Sequence, residues 1–487
     1  MKITIPDDLK PSIKSYLEEL ECCKKCVFRY LGYTLYDAGA REVYAGEQNV
    51  KTEITDDSES QPPAKKIKTN PCRVCLDTLC TESMENYLTT FPPDFEDYKI
   101  PNVLTFVTFP TSMTLREHSM LVALRNKFPN IYADINLCNL EDLKRIFKAA
   151  SSTLISKKIN KVHHHDADFE VNINIKYEDD NKEAAEFNKA YPKASSRLNL
   201  AGCLRTMKDD KFKDVFPVPP EIPNRSLSAD INYTTKPVYL GGRYLKFSRE
   251  MGQTPFFVND VAICVSSVQE TIFPAISKVL GCSEDQMVFS ASGREDSDTR
   301  MLGTGRPFYI QIKQPKFNTI TTEQCRIIEK LMLQPDEKVV VVVVKKLKEV
   351  FQRDLKLVKE GEQEKRKTYL ALCKTLSPDI DETIEQINLF KTPRVIQQKT
   401  PIRVLHRRSQ LVRERTIYDL KATKVEGESD LFCLELVTQA GTYVKEFVHG
   451  DFDRTVPNLS FYTGYLTDVV ALDVLGVELE WPPEDDE

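Results

Sequence analysis

Residues 291–308 read Ala-Ser-Gly-Arg-Glu-Asp-Ser-Asp-Thr-Arg-Met-Leu-Gly-Thr-Gly-Arg-Pro-Phe, a dense run of charges that leads into an apolar, strand-like segment. Five of the seven residues from 294 to 300 are acidic or arginine. Arginine holds a neighbouring carboxylate ionised and also binds phosphate, and an ionised Asp can act as a nucleophile. The alternative is a salt-bridged surface loop. A dinucleotide-binding interpretation of Gly303-Thr304-Gly305 fails, because position 308 is Phe and the segment enters a strand rather than a helix.

Three motifs in the C-terminal half carry a family resemblance. Gly293-Arg294-Glu295-Asp296 resembles the G-R-[TE]-D catalytic loop of pseudouridine synthases. The longer string to Phe308 is similar to one branch, the THUMP-containing tRNA synthases shared by archaea and eukaryotes. Residues 367–369 (Lys-Thr-Tyr) and 440–447 (Ala-Gly-Thr-Tyr-Val-Lys-Glu-Phe) match two downstream motifs of that branch. The resemblance spans about 235–470 and also includes paired C-x2-C motifs near the N-terminus.

The resemblance implies an enzyme that isomerises uridine to pseudouridine in the TΨC arm of tRNA, at position 54, position 55 or both. It implies Asp296 as the nucleophile on a flipped-out nucleotide, with Asp298 as the rival for that role. Tyr369 would stack on the uracil and relay a proton. Lys445 would pair with Asp296 and keep it charged, where most relatives use Arg. Arg294 would hold the extruded nucleotide's phosphate or fill the space that it leaves.

A basic segment lies between Lys391 and Arg415, where eight Lys and Arg residues accompany one acidic residue, Glu414. This density predicts a surface that follows an RNA backbone, with a solvated basic face as the alternative. A second stretch, 241–249, mixes cations with aromatics, as RNA-gripping loops do. The predicted substrate-binding residues are Tyr443, Arg403, Arg407, Arg408 and Arg243.

Two C-x2-C pairs stand apart from the other cysteines. The chain has 13 cysteines and no secretion signal, so most of them are expected to be reduced thiols. Two C-x2-C pairs complete the closed tetrahedral shell of four thiolates that structural zinc prefers. The predicted ligands are Cys23, Cys26, Cys72 and Cys75, for one structural zinc per chain and no organic cofactor. Chance spacing and a redox role for one pair are alternatives, and Cys22 and Cys80 compete for ligand duty.

The fold class expected is α/β (α+β), in two parts that meet at the proline-rich segment 217–223. Residues 1–225 form an accessory RNA-binding domain with the zinc site, an acidic disordered insert at about 46–63 and a THUMP-like region at about 80–215. Residues 226–487 form the pseudouridine synthase catalytic domain, a central mixed or antiparallel sheet flanked by helices, with an acidic C-terminal tail. The accessory fold and the catalytic fold are implied by the resemblance.

Hydrophobic periodicity places the individual elements. Helices are predicted at 11–30, 115–128 and 143–155. Strands are predicted at 103–109, 169–175, 256–265, 308–312, 338–344, 402–405, 431–438 and 466–475. His163-His164-His165 suggests metal only weakly, because adjacent residues of a strand point to opposite faces.

The net charge of −6 seems to argue against a polyanion partner. Five acidic residues lie in 46–63 and five in 480–487, however, and removing these ten together with Lys51 leaves +3. The distribution of charge therefore favours an RNA partner, and the resemblance implies that this RNA is tRNA.

No apolar run reaches the roughly 18 residues of a membrane helix, and we expect an intracellular monomer that does not bind membranes. The short basic pattern at 63–68 predicts nuclear as well as cytoplasmic localisation. A methyltransferase, a thiolation enzyme and a non-catalytic RNA-binding adaptor are the competing hypotheses, and neither a methyl-donor site nor an ATP-pyrophosphatase loop is found.

Overall fold

The structure, a computed structural model, describes residues 3–37, 39–45, 70–89, 91, 93–194, 197–223, 227–258, 261–333, 341–406 and 408–484. The chain divides into two compact units, Met1–Thr235 and Lys236–Glu487. The insert at 46–63, the basic pattern at 63–68 and the last three residues of the acidic tail lie outside the described residues. In the part of the chain that is described, every helix is too short or too polar to cross a bilayer.

The N-terminal unit packs helices against a small sheet. Its helices are α1 (Lys10–Glu19), α2 (Lys24–Tyr30), α3 (Ala40–Ala45), α4 (Thr81–Leu88), α5 (Thr111–Lys127), α6 (Pro129–Tyr132), α7 (Leu143–Ile159), α8 (Asp180–Ala190), α9 (Arg197–Thr206) and α10 (Asp209–Lys213). Its strands are β1 (Asn102–Thr108), β2 (Val162–His163), β3 (Phe169–Lys176) and β4 (Ser228–Thr235). The sheet order is β2-β1-β3-β4, with β1 parallel to β2 and β3 and with β4 antiparallel to β3.

Alternating apolar residues predicted β1 and β3 well, and both strands bury alternate side chains. The predicted helix over 11–30 is wrong as a single element. It stops at Glu19, and Glu21 adopts the left-handed backbone (φ 57°) before α2 begins at Lys24. This break makes Cys23 the residue that precedes α2 and places Cys26 within that helix.

The division between the units falls later than the predicted 225/226 boundary. Strand β4 follows the proline-rich segment, yet it pairs along its whole length with β3 of the N-terminal unit. The segment itself is held by that unit, since Arg116 Nη1 donates to the carbonyl of Glu221 (2.8 Å). The first unit therefore extends to Thr235, because eight residues of β4 pair with β3. The proline-rich composition of the preceding segment gives no indication of this pairing.

The C-terminal unit is built on one large mixed sheet. Its strands are β5 (Val238–Lys246), β6 (Met251–Gly252), β7 (Phe257–Val258), β8 (Val261–Ala262), β9 (Ser266–Ser267), β10 (Met287–Ala291), β11 (Arg300–Ile312), β12 (Val342–Val350), β13 (Lys367–Thr375), β14 (Arg394–Lys399), β15 (Val412–Lys424), β16 (Leu431–Thr438), β17 (Thr455–Val456) and β18 (Thr467–Val477). Its helices are α11 (Val268–Leu280), α12 (Thr322–Met332), α13 (Leu355–Glu364), α14 (Ile380–Asn388), α15 (Val444–His449) and α16 (Leu459–Thr463).

The described strands of the large sheet run in the order β12-β5-β11-β18-β13-β16-β15-β14-β17, with β10 also paired to β11. Only two residue pairs join β11 to β18, in parallel, and the adjoining pairs of strands are antiparallel. Here Met301, Val474 and Tyr369 are neighbours in register across β11, β18 and β13. Two hydrophobic cores flank this seam, and Tyr369 packs against both of them.

Several local predictions are corrected here. Within 256–265 two short strands, β7 and β8, pair antiparallel in place of one strand, and residues 259–260 lie outside the described part of the chain. Residues 402–404 form a 3-10 turn rather than a strand. The strand expected at 338–344 is observed from Val342 to Val350, and residues 334–340 lie outside the described part of the chain. The acidic tail is anchored at its start: Trp481 is buried and its indole N–H donates to the carbonyl of Phe308 (2.8 Å). The strands at 308–312, 431–438 and 466–475 are confirmed.

Candidate active site

Two carboxylates and two cations meet at the outer face of the loop between β10 and β11. Arg403 Nη1 lies 2.9 Å from Asp296 Oδ2. Lys445 Nζ lies 2.6 Å from Asp298 Oδ2 and 3.8 Å from Asp296 Oδ2. The predicted pairing of Lys445 with Asp296 is thus the longer of its two contacts, and the nearest cation to Asp296 is Arg403. We call these four residues the outer ionic cluster.

The outer ionic cluster is open to solvent on one side. The side chain of Asp296 is 36% exposed and that of Asp298 is 61% exposed. Burial would by itself raise the pKa of Asp298, but the hydrogen bonds and positive charge of Lys445 outweigh it and lower that pKa. The carboxylate of Asp296 therefore has two cations within 4 Å and still keeps an exposed edge that a substrate can reach.

The underside of the same loop is a buried polar network. Glu295 is fully buried and pairs with Arg306, whose Nε lies 2.7 Å from Glu295 Oε2. The hydroxyl of Tyr244 donates to the same carboxylate, and Arg306 Nη1 donates to the carbonyl of Ser292 (2.8 Å). Lys246, also buried, donates its ammonium to the carbonyl oxygens of Asp296 and Ser297, both at 3.1 Å. These bonds fix the backbone that presents Asp296.

Gly293 opens the loop in the left-handed conformation (φ 84°). A Cβ atom there would lie 2.7 Å from Lys367 Nζ and 3.2 Å from Arg306 Nη1. Only glycine therefore allows the Gly-Arg-Glu-Asp turn to lie against the start of the Lys-Thr-Tyr strand. Two motifs that are about 70 residues apart in sequence are packed together at this point.

Tyr369 lies on β13, beside the seam where β11 begins. Burial raises the pKa of Tyr369 to about 12, with Arg306 acting against this shift and the charge of Asp296 adding to it. Its phenol is therefore neutral at physiological pH and retains a proton that it can donate.

The motif at 440–447 supplies the start of α15 and its two charged side chains. Lys445 belongs to the outer ionic cluster, and Glu446 is buried and accepts a hydrogen bond from Arg403 Nε (2.7 Å). Arg403 therefore bridges Glu446 and Asp296, which holds its planar guanidinium in place. Tyr443, half-buried, precedes α15, and its backbone N–H and C=O both bond the side-chain amide of Gln398 at 2.9 Å.

The remaining predicted site residues are distributed unevenly. Arg294 is exposed and donates to the hydroxyl of Thr254 (3.1 Å), and Arg408 is exposed as well. Arg407 lies outside the described residues. Arg243, predicted to bind substrate, is instead buried on β5, where its guanidinium donates to backbone carbonyls, including those of Thr304 (2.8 Å) and Leu479 (2.8 Å). These hydrogen bonds join β5 to β11 and to the segment that follows β18. They offset the cost of burying the guanidinium, because burial lowers the pKa of Arg243 to about 10.

Sequence reasoning did not identify Arg403 as the partner of Asp296 or Lys246 as the support of the loop. Arg403 is one of eight cations in a basic segment, and nothing in the pattern distinguishes it from the others. For Glu295 and Arg306 a signal did exist. They lie on the two sides of an antiparallel connection, in which Ala291 of β10 pairs with Phe308 of β11, so Arg306 comes close to the start of the loop.

The four predicted zinc ligands converge in the N-terminal unit. The Sγ atoms of Cys23, Cys26, Cys72 and Cys75 all lie within 4.8 Å of one another, and the last three residues are buried. Cys23 Sγ and Cys75 Sγ are 3.5 Å apart, and the backbone N–H of Cys23 donates to Cys72 Sγ (3.3 Å). Four sulfur ligands without an open position fit a structural tetrahedral metal site. Neither Cys22 nor Cys80, the predicted competitors, belongs to this group.

Comparison with known proteins gives a consistent result. Family models described as "Pus10, C-terminal" and "Eukaryotic Pus10, N-terminal" match residues 239–478 and 72–232. A human protein named tRNA pseudouridine synthase Pus10 is 32% identical, over 90% of this chain and 83% of its own length. A Drosophila melanogaster protein that carries the Pus10 name is also 32% identical, over 97% of both chains.

An archaeal relative from Thermofilum pendens, also named tRNA pseudouridine synthase Pus10, is 35% identical over 50% of this chain and 53% of its own. A solved Cbf5-Nop10-Gar1 complex matches with a TM-score of 0.26 and 14% identity, covering 48% of this chain and 47% of that chain. The family assignment rests on the eukaryotic relatives, which align with nearly the whole chain. This chain belongs to the Pus10 family of tRNA pseudouridine synthases.

Proposed function

We propose that this chain isomerises uridine to pseudouridine in the TΨC arm of tRNA, at position 54, position 55 or both, with Asp296 as the nucleophile. The observation that carries the proposal is the environment of Asp296. Its carboxylate pairs with Arg403 and faces solvent, while its carbonyl is held from below by Lys246. Membership of the Pus10 family supports the same reaction.

The reaction breaks the N1–C1′ bond of uridine and forms a C5–C1′ bond, with no change of redox state. The carboxylate of Asp296 forms a transient bond to the sugar or to the pyrimidine ring while the N1–C1′ bond breaks and the base turns. C5 then joins C1′, and the bond to Asp296 breaks, which frees the carboxylate for the next turnover. The proton that leaves C5 is balanced by the proton gained at N1. Tyr369 stacks on the base, and its neutral phenol relays this proton.

The exposed groups around Asp296 bind the flipped nucleotide. Arg294 holds the phosphate of the extruded nucleotide, and Lys445 and Arg403 pair with the carboxylate of Asp296. Tyr443, Arg408 and the other cations of 391–415 line the path of the RNA backbone. Arg403 acts through Asp296 and Glu446 rather than as a free phosphate ligand, because both carboxylates already occupy its guanidinium.

The cysteine group is proposed to hold one structural zinc ion. Zinc would supply the positive charge that allows Cys23, Cys26, Cys72 and Cys75 to be thiolates in one buried volume. It would join the α2 segment to the 71–80 turn and take no part in the isomerisation. We further propose that the protein acts as a monomer and is present in both nucleus and cytoplasm.

The test is pseudouridine formation on unmodified transcribed tRNA, detected by carbodiimide treatment and primer extension. The wild-type chain is expected to modify U54, U55 or both, and tRNAs in which one of the two is replaced by cytidine identify which. Asp296→Asn should bind tRNA as the wild type does and lose at least about a thousandfold in rate. Full activity in Asp296→Asn would end the assignment of the nucleophile, and a wild type that binds tRNA without modifying it would favour an RNA-binding adaptor.

A further inference from the structure

The loop 450–454 holds three consecutive non-glycine residues in the left-handed conformation. The φ angles of Asp451, Phe452 and Asp453 are 50°, 56° and 62°. The loop is closed at its base, where the N–H of Thr455 donates to the carbonyl of Gly450 (3.1 Å). Side chains with a Cβ atom are strained in this conformation, and such strain persists only where the surroundings enforce it.

The strained loop presents a phenyl ring to solvent. Phe452 is 90% exposed, whereas Asp451 beside it is 8% exposed. The exposed ring contributes nothing to the core, so packing does not explain why the loop places Phe at its tip. Strain and exposure of a large apolar side chain together indicate a contact made with another molecule.

The loop is fixed to the turn that carries Arg403. Asp451 Oδ2 accepts a hydrogen bond from the backbone N–H of Ile402 (3.2 Å), and Arg454 donates to the carbonyl of Thr400 (2.6 Å). Arg403, the residue after Ile402, contacts the carboxylate of Asp296. Two hydrogen bonds therefore connect the loop of Phe452 with the loop of Asp296: one joins Asp451 to Ile402, and the other joins Arg403 to Asp296.

The charge around the loop identifies the kind of molecule that Phe452 meets. Exposed cations of the adjoining segment include Lys399 and Arg408, against the single exposed acid of the loop, Asp453. A positive surface that carries one exposed aromatic ring suits a nucleic acid strand, since the backbone binds the cations and a base stacks on the ring.

From these contacts we propose that Phe452 is a stacking platform for an unpaired base of the RNA substrate. This inference rests on the proposed function only in taking tRNA as the RNA. Stacking tolerates any base, so Phe452 contributes affinity and position rather than sequence specificity. An apolar protein partner at the same ring is the alternative occupant, and the experiment separates the two.

The experiment measures the Kd of full-length protein for unmodified tRNA at a fixed salt concentration, with Phe452→Ala, Phe452→Leu and Phe452→Trp. Loss of one stacked base should weaken binding about tenfold in the Ala and Leu variants. The Trp variant should stay within about twofold of the wild type. The matched control is Phe461→Ala, which removes another exposed phenyl ring (73% exposed) from α16 and should leave Kd unchanged.

Wild-type affinity in Phe452→Ala would overturn the proposal, and so would a Leu variant as tight as the wild type, which is the result expected for an apolar protein partner. Phe452→Gly gives a check on folding. It relieves the left-handed strain, so its thermal midpoint should not fall while its tRNA affinity does. The two proposals also fail separately: Phe452 can prove necessary for binding in a chain that makes no pseudouridine, and the wild type can make pseudouridine while Phe452→Ala binds normally.

Discussion

Four thiols of the same chemical type converge in the N-terminal unit, whereas two carboxylates meet two cations at the outer face of the loop in the C-terminal unit. The first group is largely buried, and its four sulfurs would repel one another if all were ionised, so as thiolates they could be held together by a metal ion. The second group balances its own charge and leaves Asp296 partly exposed. A closed cluster of like ligands suits a structural site, and an open cluster of opposite charges suits a reactive one.

The largest effect is expected where the cysteine group is broken. Cys72→Ser, or treatment of the wild type with a strong chelator, should lower the free energy of unfolding of the N-terminal unit by about 5 kcal/mol or more, because metal binding to such sites is folding energy. The measurement is hydrogen exchange over residues 10–37 and 70–89 together with elemental analysis. Cys138→Ser, an exposed cysteine outside the group, is the matched control. Protein purified without chelator that contains no zinc would contradict the assignment.

The second effect compares two adjacent carboxylates of one loop. Glu295 is fully buried against Arg306, and Asp296 is 36% exposed. Glu295→Gln leaves the guanidinium of Arg306 buried without its counter-charge and should cost about 3 kcal/mol of stability in chemical denaturation. Asp296→Asn, the matched control, should cost less than about 1 kcal/mol while it loses catalysis. Equal stability of the two variants would show that the buried pair does not support the loop.

Much of this architecture follows from local sequence signals, and the exceptions share a cause. Strands with clear alternation, such as β3 and β16, were predicted almost to the residue, because one buried face imposes a period of two. The break at Glu21, the 3-10 turn at 402–404 and the pairing of β4 depend on contacts with distant segments.

The site shows the same limit. The family resemblance singled out Asp296, Tyr369 and Lys445, and the C-x2-C spacing singled out the four cysteines. The structure brings Lys445 to Asp296 and the four cysteines to one another. Which cation touches which carboxylate depends on a few ångströms of backbone placement. A cation in a basic run, such as Arg403, and a cation inside a strand, such as Arg243, look alike in sequence, yet one faces Asp296 and the other is buried among carbonyls.

A third prediction concerns a buried histidine of the N-terminal unit. His118 on α5 packs against Phe212, and burial, assisted by the charge of Arg125, lowers its pKa to about 4. Between pH 6.5 and 4 the unfolded chain binds a proton that the folded chain does not, so stability should fall by up to about 3 kcal/mol as the pH drops through that window. His118→Phe should reduce this acid sensitivity, and His165→Gln, an exposed histidine, should not. Denaturation at pH 7 and pH 5 measures the difference; equal acid sensitivity of His118→Phe and wild type would exclude His118 as its source.

The smallest effect separates the two carboxylates of the outer ionic cluster. Lys445 lies 2.6 Å from Asp298 and 3.8 Å from Asp296, so Asp298→Asn releases the ammonium group to move onto Asp296. A tighter pair makes Asp296 a weaker nucleophile, and the single-turnover rate of pseudouridine formation should fall about tenfold. Because Lys445 lowers the pKa of Asp298 below its usual value, Asp298 is ionised throughout pH 6–8 and the ratio of mutant to wild-type rate should be constant across that range. Loss of a thousandfold in Asp298→Asn, equal to that expected for Asp296→Asn, would transfer the role of nucleophile to Asp298, because a residue that only positions Lys445 cannot account for so large an effect.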